Sequence, residues 1–431
     1  MRAMRPSPEP PPALVRLALA LLVLAVVAAG ASAQGDALTV RVGEPTRPVS
    51  ALAITGFNVA TAVPVVLYLD EWAAIDLRSL RYPPGEDADN WPLTADTMNA
   101  FHLTWQLLGE PDVHLVANFF EGPDHALAVA RHLRTKGMTP RWWAVGNEPD
   151  LYPRNRMDPS WTAEVYCERA RDMRTALEEE LGAVTITGPA VSGSRPSAME
   201  YLREVIGRCG DVFDVVTWHV YPTDGTRSDE DALATSRRVA DEIRTVRAWL
   251  ADPAVNPLGH DRDALLGITE FGLSSRSTNF RHLEDMVAAL WLADALGQMA
   301  TEGVDLGQYF ALQAMGGHGL IDRSGWVRHT YYVYALLAGF GGDAHEVEGG
   351  DERLAAYAAS DDQALRVLLV NRSTDALQVT LEAEGLGDAL DVATFDDVIF
   401  DEDLAPRHST VRADERVLVP PRSIVVLTGE R

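Results

Sequence analysis

Lysine is almost missing from this chain. Lys136 is the single example among 431 residues, and 37 Lys plus Arg face 63 Asp plus Glu, for a net charge of −26. A surface this acidic should repel nucleic acid and polyanionic polymers, and it favours neutral or weakly charged ligands. Cysteine is nearly as scarce. Cys167 and Cys209 match no metal-site spacing. Beyond residue 33 no apolar run is long enough to cross a bilayer. The first βα turn has no Gly-rich phosphate loop. What remains is 47% apolar and 23% charged residues, an ordinary globular composition with length enough for a large core and two domains.

The first residues stand apart. "MRAMRPSPEPPPALVR" is basic, "LALALLVLAVVAAG" is apolar, and "ASAQ" supplies small residues. This is the pattern of a secretory signal over residues 1–33, cut after Ala33. The apolar run is short for an uncleaved anchor, and no cysteine at the cut invites lipid attachment. Cleavage removes three arginines and one glutamate, leaving a charge of about −28. The expected location is secreted or periplasmic, where two cysteines can pair. Cys167 lies early in one predicted helix and Cys209 at the end of the next. Parallel helices would set them at different heights, which argues against a bridge.

From Ala51 onward short apolar runs alternate with amphipathic stretches. The runs are "ALAITGFN", "SLRYPPG", "VHLVANFF", "WWAVGNEP", "VTITGPAVSG", "FDVVTWHVYP", "ALLGITEFG" and "LGQYFALQA". Strands apolar on both faces and separated by helical patterns indicate parallel βα units. Eight units over residues 51–340 predict an α/β (β/α)8 TIM barrel. After Gly341 the segments are short and alternating, with turns between them and no long helical period. Residues 341–431 are therefore expected to form a C-terminal antiparallel β-sandwich. Residues 34–50 form an N-terminal strand and linker, and "ALTVRV" could join that sandwich.

In such a barrel the active site lies at the carboxyl ends of the strands. Those ends carry Asn58, Arg81, Asn118, Asn147 with Glu148, His219 with Tyr221, Glu270 and Phe310. Two are glutamates, on the fourth and seventh strands. Glycoside hydrolysis needs two such carboxyls, one holding a proton for the leaving oxygen and one ionised. Arg81 is the natural group to hold Glu270 charged. Singly, each feature has a plainer reading: "NEP" as a loop, His219 as a satisfied interior histidine. The joint pattern, in strand order, is far more specific.

"GNEPD", "WHVYP" and "ITEFG" resemble the retaining glycosidases of glycoside hydrolase clan A. The resemblance covers the barrel and the trailing sandwich. It implies Glu148 as acid/base, Glu270 as nucleophile, Asn147 on the sugar 2-hydroxyl, Tyr221 and Arg81 bonded to Glu270, and His219 on the same wall. "WAVGNEPDLY" is most similar to heparanase-like β-glucuronidases of family 79, and "LRYPPG" is similar to arabinofuranosidases and xylosidases of the same architecture. Many members have a tryptophan after the eighth strand. "QYFALQA" has none, and Phe310 or Trp326 is expected in its place. No donor for a sugar carboxylate is assigned; the loop residues Arg276, Arg281 and Arg323 read as surface groups.

Rival chemistries fit less well. A Schiff-base aldolase needs a lysine at a strand end, and Lys136 sits at the opposite rim. A metal-dependent hydrolase would show paired histidines on the first strand, and "ITGFN" has none. "MGGHG" is a weak phosphate loop and reads as a mouth loop. Neither cofactor nor metal is expected. The partner is an oligosaccharide or glycoside, not nucleic acid, and no oligomeric state is implied. The remaining alternative is a secreted barrel that binds carbohydrate without cleaving it. A chain that retains both glutamates, Arg81 and Tyr221 favours the enzyme.

Overall fold

The computed structural model describes residues 37–60, 64–276, 281–314 and 317–431. The expected signal, residues 1–33, lies outside the described residues, as do Met315 and Gly316 of the mouth loop.

The chain opens with strand β1 (Leu38–Val49) and then builds eight parallel strands. These are β2 (Gly56–Asn58), β3 (Ser79–Tyr82), β4 (Asp112–Ala117), β5 (Trp142–Val145), β6 (Ile186–Val191), β7 (Val215–Val220), β8 (Leu265–Phe271) and β9 (Leu306–Gly307). They neighbour one another in chain order, and a Phe57–Tyr309 bridge joins last to first and closes the barrel. Their side chains are buried on both faces, as in β6 and β7 throughout, which is why the strands read as near-continuous apolar runs. Closure brings backbones very near: a Cβ on Gly56 would lie 2.1 Å from the Gly307 carbonyl, so only glycine fits there.

Three local readings differ. "ALAITGFN" is a short helix (Ala51–Ile54) before a three-residue strand. The helix Ala95–Leu107 precedes β4, and its exposed Leu103 and Leu107 blur the amphipathic stripe that would announce it. The helix Asp397–Asp403 interrupts the all-β region.

Eight more strands follow: β10 (Gly342–Glu348), β11 (Leu354–Ser360), β12 (Ala364–Asn371), β13 (Leu377–Ala383), β14 (Ala389–Phe395), β15 (Arg407–Arg412), β16 (Val417–Val419) and β17 (Ser423–Glu430). With β1 they make one nine-stranded sheet in the order β15-β14-β17-β12-β11-β10-β1-β13-β16. All pairings are antiparallel except β1 with β13. The sheet folds over its own core, in which Val40, Val367, Leu369, Val379, Val392 and Val425 meet. The architecture is a TIM barrel with a β-sandwich.

The helix Met286–Glu302 joins the two. It is buried from Met286 to Ala300, because the barrel covers one side and β11 and β12 the other. Its one buried acid, Asp294, pairs with Arg372 at 2.9 Å and accepts hydrogen bonds from Tyr357 and Ser236.

The cysteines overturn the expectation against a bridge. Cys167 and Cys209 form a disulfide with Cα atoms 5.7 Å apart. The first turns of the helix Ala163–Leu181 lie beside the last turn of Pro196–Cys209. The Arg208–Glu164 and Arg171–Asp211 ion pairs mark the same offset. Residue spacing alone could not reveal this offset.

Candidate active site

Glu148 follows β5 through a bend that two unusual backbone positions create. Gly146 has φ +71, and a Cβ there would lie 2.3 Å from the Tyr152 hydroxyl. Glu148 itself is left-handed at φ 52, a conformation that non-glycine residues adopt at a cost of about 1–3 kcal/mol where surrounding bonds enforce it. Asp89 enforces it. Its carboxylate accepts from the Asn147 and Phe119 amides at 2.8 Å each and from the Tyr152 hydroxyl. Burial pushes the Asp89 carboxyl up, and these hydrogen bonds oppose that shift. Asp89 and Tyr152 were not identified from sequence. The only signal was an aspartate in a loop after the second barrel strand, which also reads as an ordinary turn residue.

Glu270, on β8, is nearly buried. Arg81 Nη1 donates to its Oε1 at 2.6 Å, and the Tyr221 hydroxyl donates to Oε2 at 3.1 Å. Arg81 is fully buried and is held in turn by Asn58 Oδ1 at 3.0 Å and Asn147 Oδ1 at 2.6 Å. One side chain thus links strands β2, β3, β8 and the β5 turn. Below it His114 bonds Gln308 and Thr187 at 2.7 Å each. Burial first, then the Arg81 charge, pushes His114 down to about 3, so it stays neutral.

His219 Nδ1 lies 3.0 Å from Glu148 Oε1 and 3.7 Å from Glu270 Oε2. Burial lowers this imidazole to about 4, although Glu270 opposes the shift. The Glu148 carboxyl moves the other way, up to about 8. Desolvation is the main cause, with the charges of Asp150 and Glu86 adding to it and those of Arg81 and Arg195 opposing it. Glu148 is thus a neutral acid at pH 7, hydrogen-bonded to a neutral histidine, while Glu270 is paired with a fixed cation. Environments of this kind divide acid from base in a carboxyl pair. Tyr221 is raised well above its usual range by burial and by Glu270, so it remains a donor.

Glu148, His219 and Glu270 each present one ligand atom, all within 4.8 Å of one another. These are suitable types for a divalent cation. The guanidinium bound to Glu270 opposes one, because a fixed positive charge already occupies that ligand.

The cleft above the pair encloses about 860 Å³, and Glu148, Glu270, Tyr221 and Phe310 line it. Every described lining residue belongs to the barrel. Other expected site residues fall elsewhere. Asn58 is fully buried, with its amide bonded to the Thr269 and Gln308 carbonyls, so it braces Arg81 and cannot meet a ligand. Asn118 turns back to cap its own loop through the Phe120 and Glu121 amides. Trp326 is displaced toward the sandwich, where its ring lies 6.2 Å from Phe400. Asn147 Nδ2 and His219 Nε2 are buried without a protein partner among the described residues, so each retains hydrogen-bonding capacity. Arg276 lines the cleft, whereas Arg281 is paired with Asp229.

No family model matches this chain, and no curated protein matches it. Solved structures do. An α-L-arabinofuranosidase from Thermotoga maritima superposes with a TM-score of 0.74 at 18% identity, over 92% of this chain and 100% of that one. The chain has this fold. A family 51 α-L-arabinofuranosidase from Bifidobacterium longum gives 0.70 at 17% identity, over 90% and 99% of the two chains. A family 44 endoglucanase from Clostridium thermocellum gives 0.63 at 15%, over 91% and 100%.

Proposed function

We propose that this protein is a retaining O-glycosidase, with Glu270 as nucleophile and Glu148 as acid/base. The observation that carries this reading is the glutamate pair itself. Its oxygens approach within 4.8 Å, and its two environments differ in the sense the reaction needs. Retention requires carboxyls roughly 5–5.5 Å apart, whereas inversion requires roughly 6.5–9.5 Å.

In the first step a Glu270 oxygen attacks the anomeric carbon. The bond to the leaving oxygen breaks, and that oxygen takes the Glu148 proton. A glycosyl ester on Glu270 results, and Glu148 becomes a carboxylate. In the second step Glu148 removes a proton from water, which attacks the same carbon and frees Glu270. Two inversions give net retention. Arg81 and Tyr221 orient the nucleophile. Asn147 Nδ2 is free to meet a sugar hydroxyl beside it.

The resemblance of Trp143–Tyr152 to family 79 favours a β-glucuronide. The fold neighbours named as α-L-arabinofuranosidase and endoglucanase favour a furanoside or a β-glucan. A panel of aryl glucuronide, glucoside, xyloside, galactoside and arabinofuranoside, run with chelator, separates these. We expect one member to be cleaved with the first-formed sugar keeping its anomeric configuration. Folded protein that cleaved none of these, nor natural oligosaccharides, would be a binder and not an enzyme.

We further propose export after cleavage at Ala33. The Cys167–Cys209 disulfide supports an oxidising compartment.

A further inference from the structure

The cleft mouth is not charged like the rest of the protein. Arg154 follows β5, Arg195 follows β6, Arg227 follows β7 and Arg276 follows β8, and all four line the cleft. These strands are consecutive around the barrel, so the arginines occupy one continuous wall. All four are exposed. None forms an ion pair among the described residues; Arg154 donates only to neighbouring Asn155. In a chain of net −26 such guanidiniums would readily find acidic neighbours, as Arg171 and Arg412 do.

The acids facing them offset part of this charge but not all of it. Glu270 is neutralised by Arg81 beneath it, and Glu148 is a neutral acid up to about pH 8. Glu86 and Asp224 remain anionic, Glu86 accepting from Asn155 and Asp224 held low by hydrogen bonds from Thr226, so they cancel two of the four charges. At neutral pH the mouth therefore carries an excess of positive charge over an otherwise acidic surface. Among the described residues, the rest of the lining, with Gly85, Glu86, Phe310 and His318, brings no arginine.

We infer that the cleft takes anionic glycans, whose carboxylate or sulfate groups bind this arginine wall beyond the reacting sugar. Guanidiniums bind such groups by charge-assisted, often bidentate, hydrogen bonds. The surrounding negative field would repel the polymer elsewhere and leave the mouth as its point of approach. The mouth would then be a local exception to the expectation that the acidic chain avoids polyanions. It rests on the glycosidase reading for the identity of the cleft, but its test is a binding measurement that does not depend on turnover.

The mature protein carrying Glu270→Gln would be titrated calorimetrically with matched pairs of oligosaccharides. Oligogalacturonate and a glucuronoxylan fragment are each compared with their carboxyl-reduced forms, and a sulfated galactan fragment with its desulfated form. We expect the anionic member of at least one pair to bind about tenfold tighter or better at low salt, with the preference collapsing near 0.5 M salt. The pair that responds distinguishes carboxylate from sulfate. Adding Arg195→Gln, Arg227→Gln and Arg276→Gln together should abolish the preference, in a protein whose melting temperature matches its parent. The salt dependence of the parent needs no such variant. Equal or weaker binding of every anionic member overturns the inference, as does a preference that survives salt or the triple change. Hydrolysis of a neutral aryl glycoside in that event would leave the glycosidase reading standing.

Discussion

Arg81 Nη1 lies 2.6 Å from Glu270 Oε1, and neither side chain is more than 5% exposed. The same guanidinium is held by Asn58 and Asn147, so the charge facing Glu270 is fixed by β2, β3 and the turn after β5 before any ligand arrives. Arg81→Met should leave the Glu270 carboxylate without its cation, and Asn147 Oδ1 without its donor, in the barrel interior. A buried pair broken on one side typically costs about 3–5 kcal/mol. Denaturant unfolding should show a loss of that order together with loss of turnover. An unchanged midpoint would mean that Arg81 is not structurally coupled to the site.

Glu270→Ala should lower kcat by about 10⁴-fold or more, as removal of a nucleophile does. Mass spectrometry should find a glycosyl adduct on Glu270 in the parent when a slow substrate is used. An adduct at another residue would reassign the nucleophile.

Glu148→Ala should divide substrates by leaving group. Glycosides with poor leaving groups should lose about 10²–10⁴-fold in kcat/KM, because they need the proton, and activated aryl glycosides should lose far less. Equal losses on both would remove Glu148 from the acid role.

The raised Glu148 carboxyl fixes the sign of two pH effects. As an acid it must be protonated, so kcat/KM should fall as pH rises through about 8. Stability moves in the same direction. The folded state holds a proton between the ordinary 4.5 and about 8 that the unfolded state releases, so stability from this group is full below 4.5 and is lost as pH rises through about 8. Glu148→Gln removes the buried charge, and at pH 9 it should be more stable than the parent, with the difference shrinking toward pH 6. Melting curves of both proteins at pH 6 and pH 9 check this; a parallel decline in both would assign the slope to other groups.

Cys167→Ala with Cys209→Ala opens a bridge between residues separated by 42 positions. Chain-entropy arguments put its contribution at about 3–4 kcal/mol. Chemical denaturation of the double variant should show a loss near that size while the cleft chemistry persists, since the bridge ties two outer helices.

By itself, the sequence determined the barrel, because strands buried on both faces must be apolar throughout and the helices between them carry the 3.6-residue stripe. It also determined which strand ends are polar, and so that Glu148 and Glu270 would share a mouth with Arg81, Tyr221, Asn147 and His219. Tertiary structure decided where those side chains aim. Asn58 and Asn118 look equivalent to Asn147 in sequence, yet one is turned into the barrel under Arg81 and the other into its own loop. Trp326 ends up beside Phe400, a residue of the other domain, and not in the cleft. The disulfide depended on an axial offset between helices, which residue spacing does not encode. The arginine wall needed barrel closure. Four residues scattered from Arg154 to Arg276 become one charged surface only when consecutive strands bring their loops side by side.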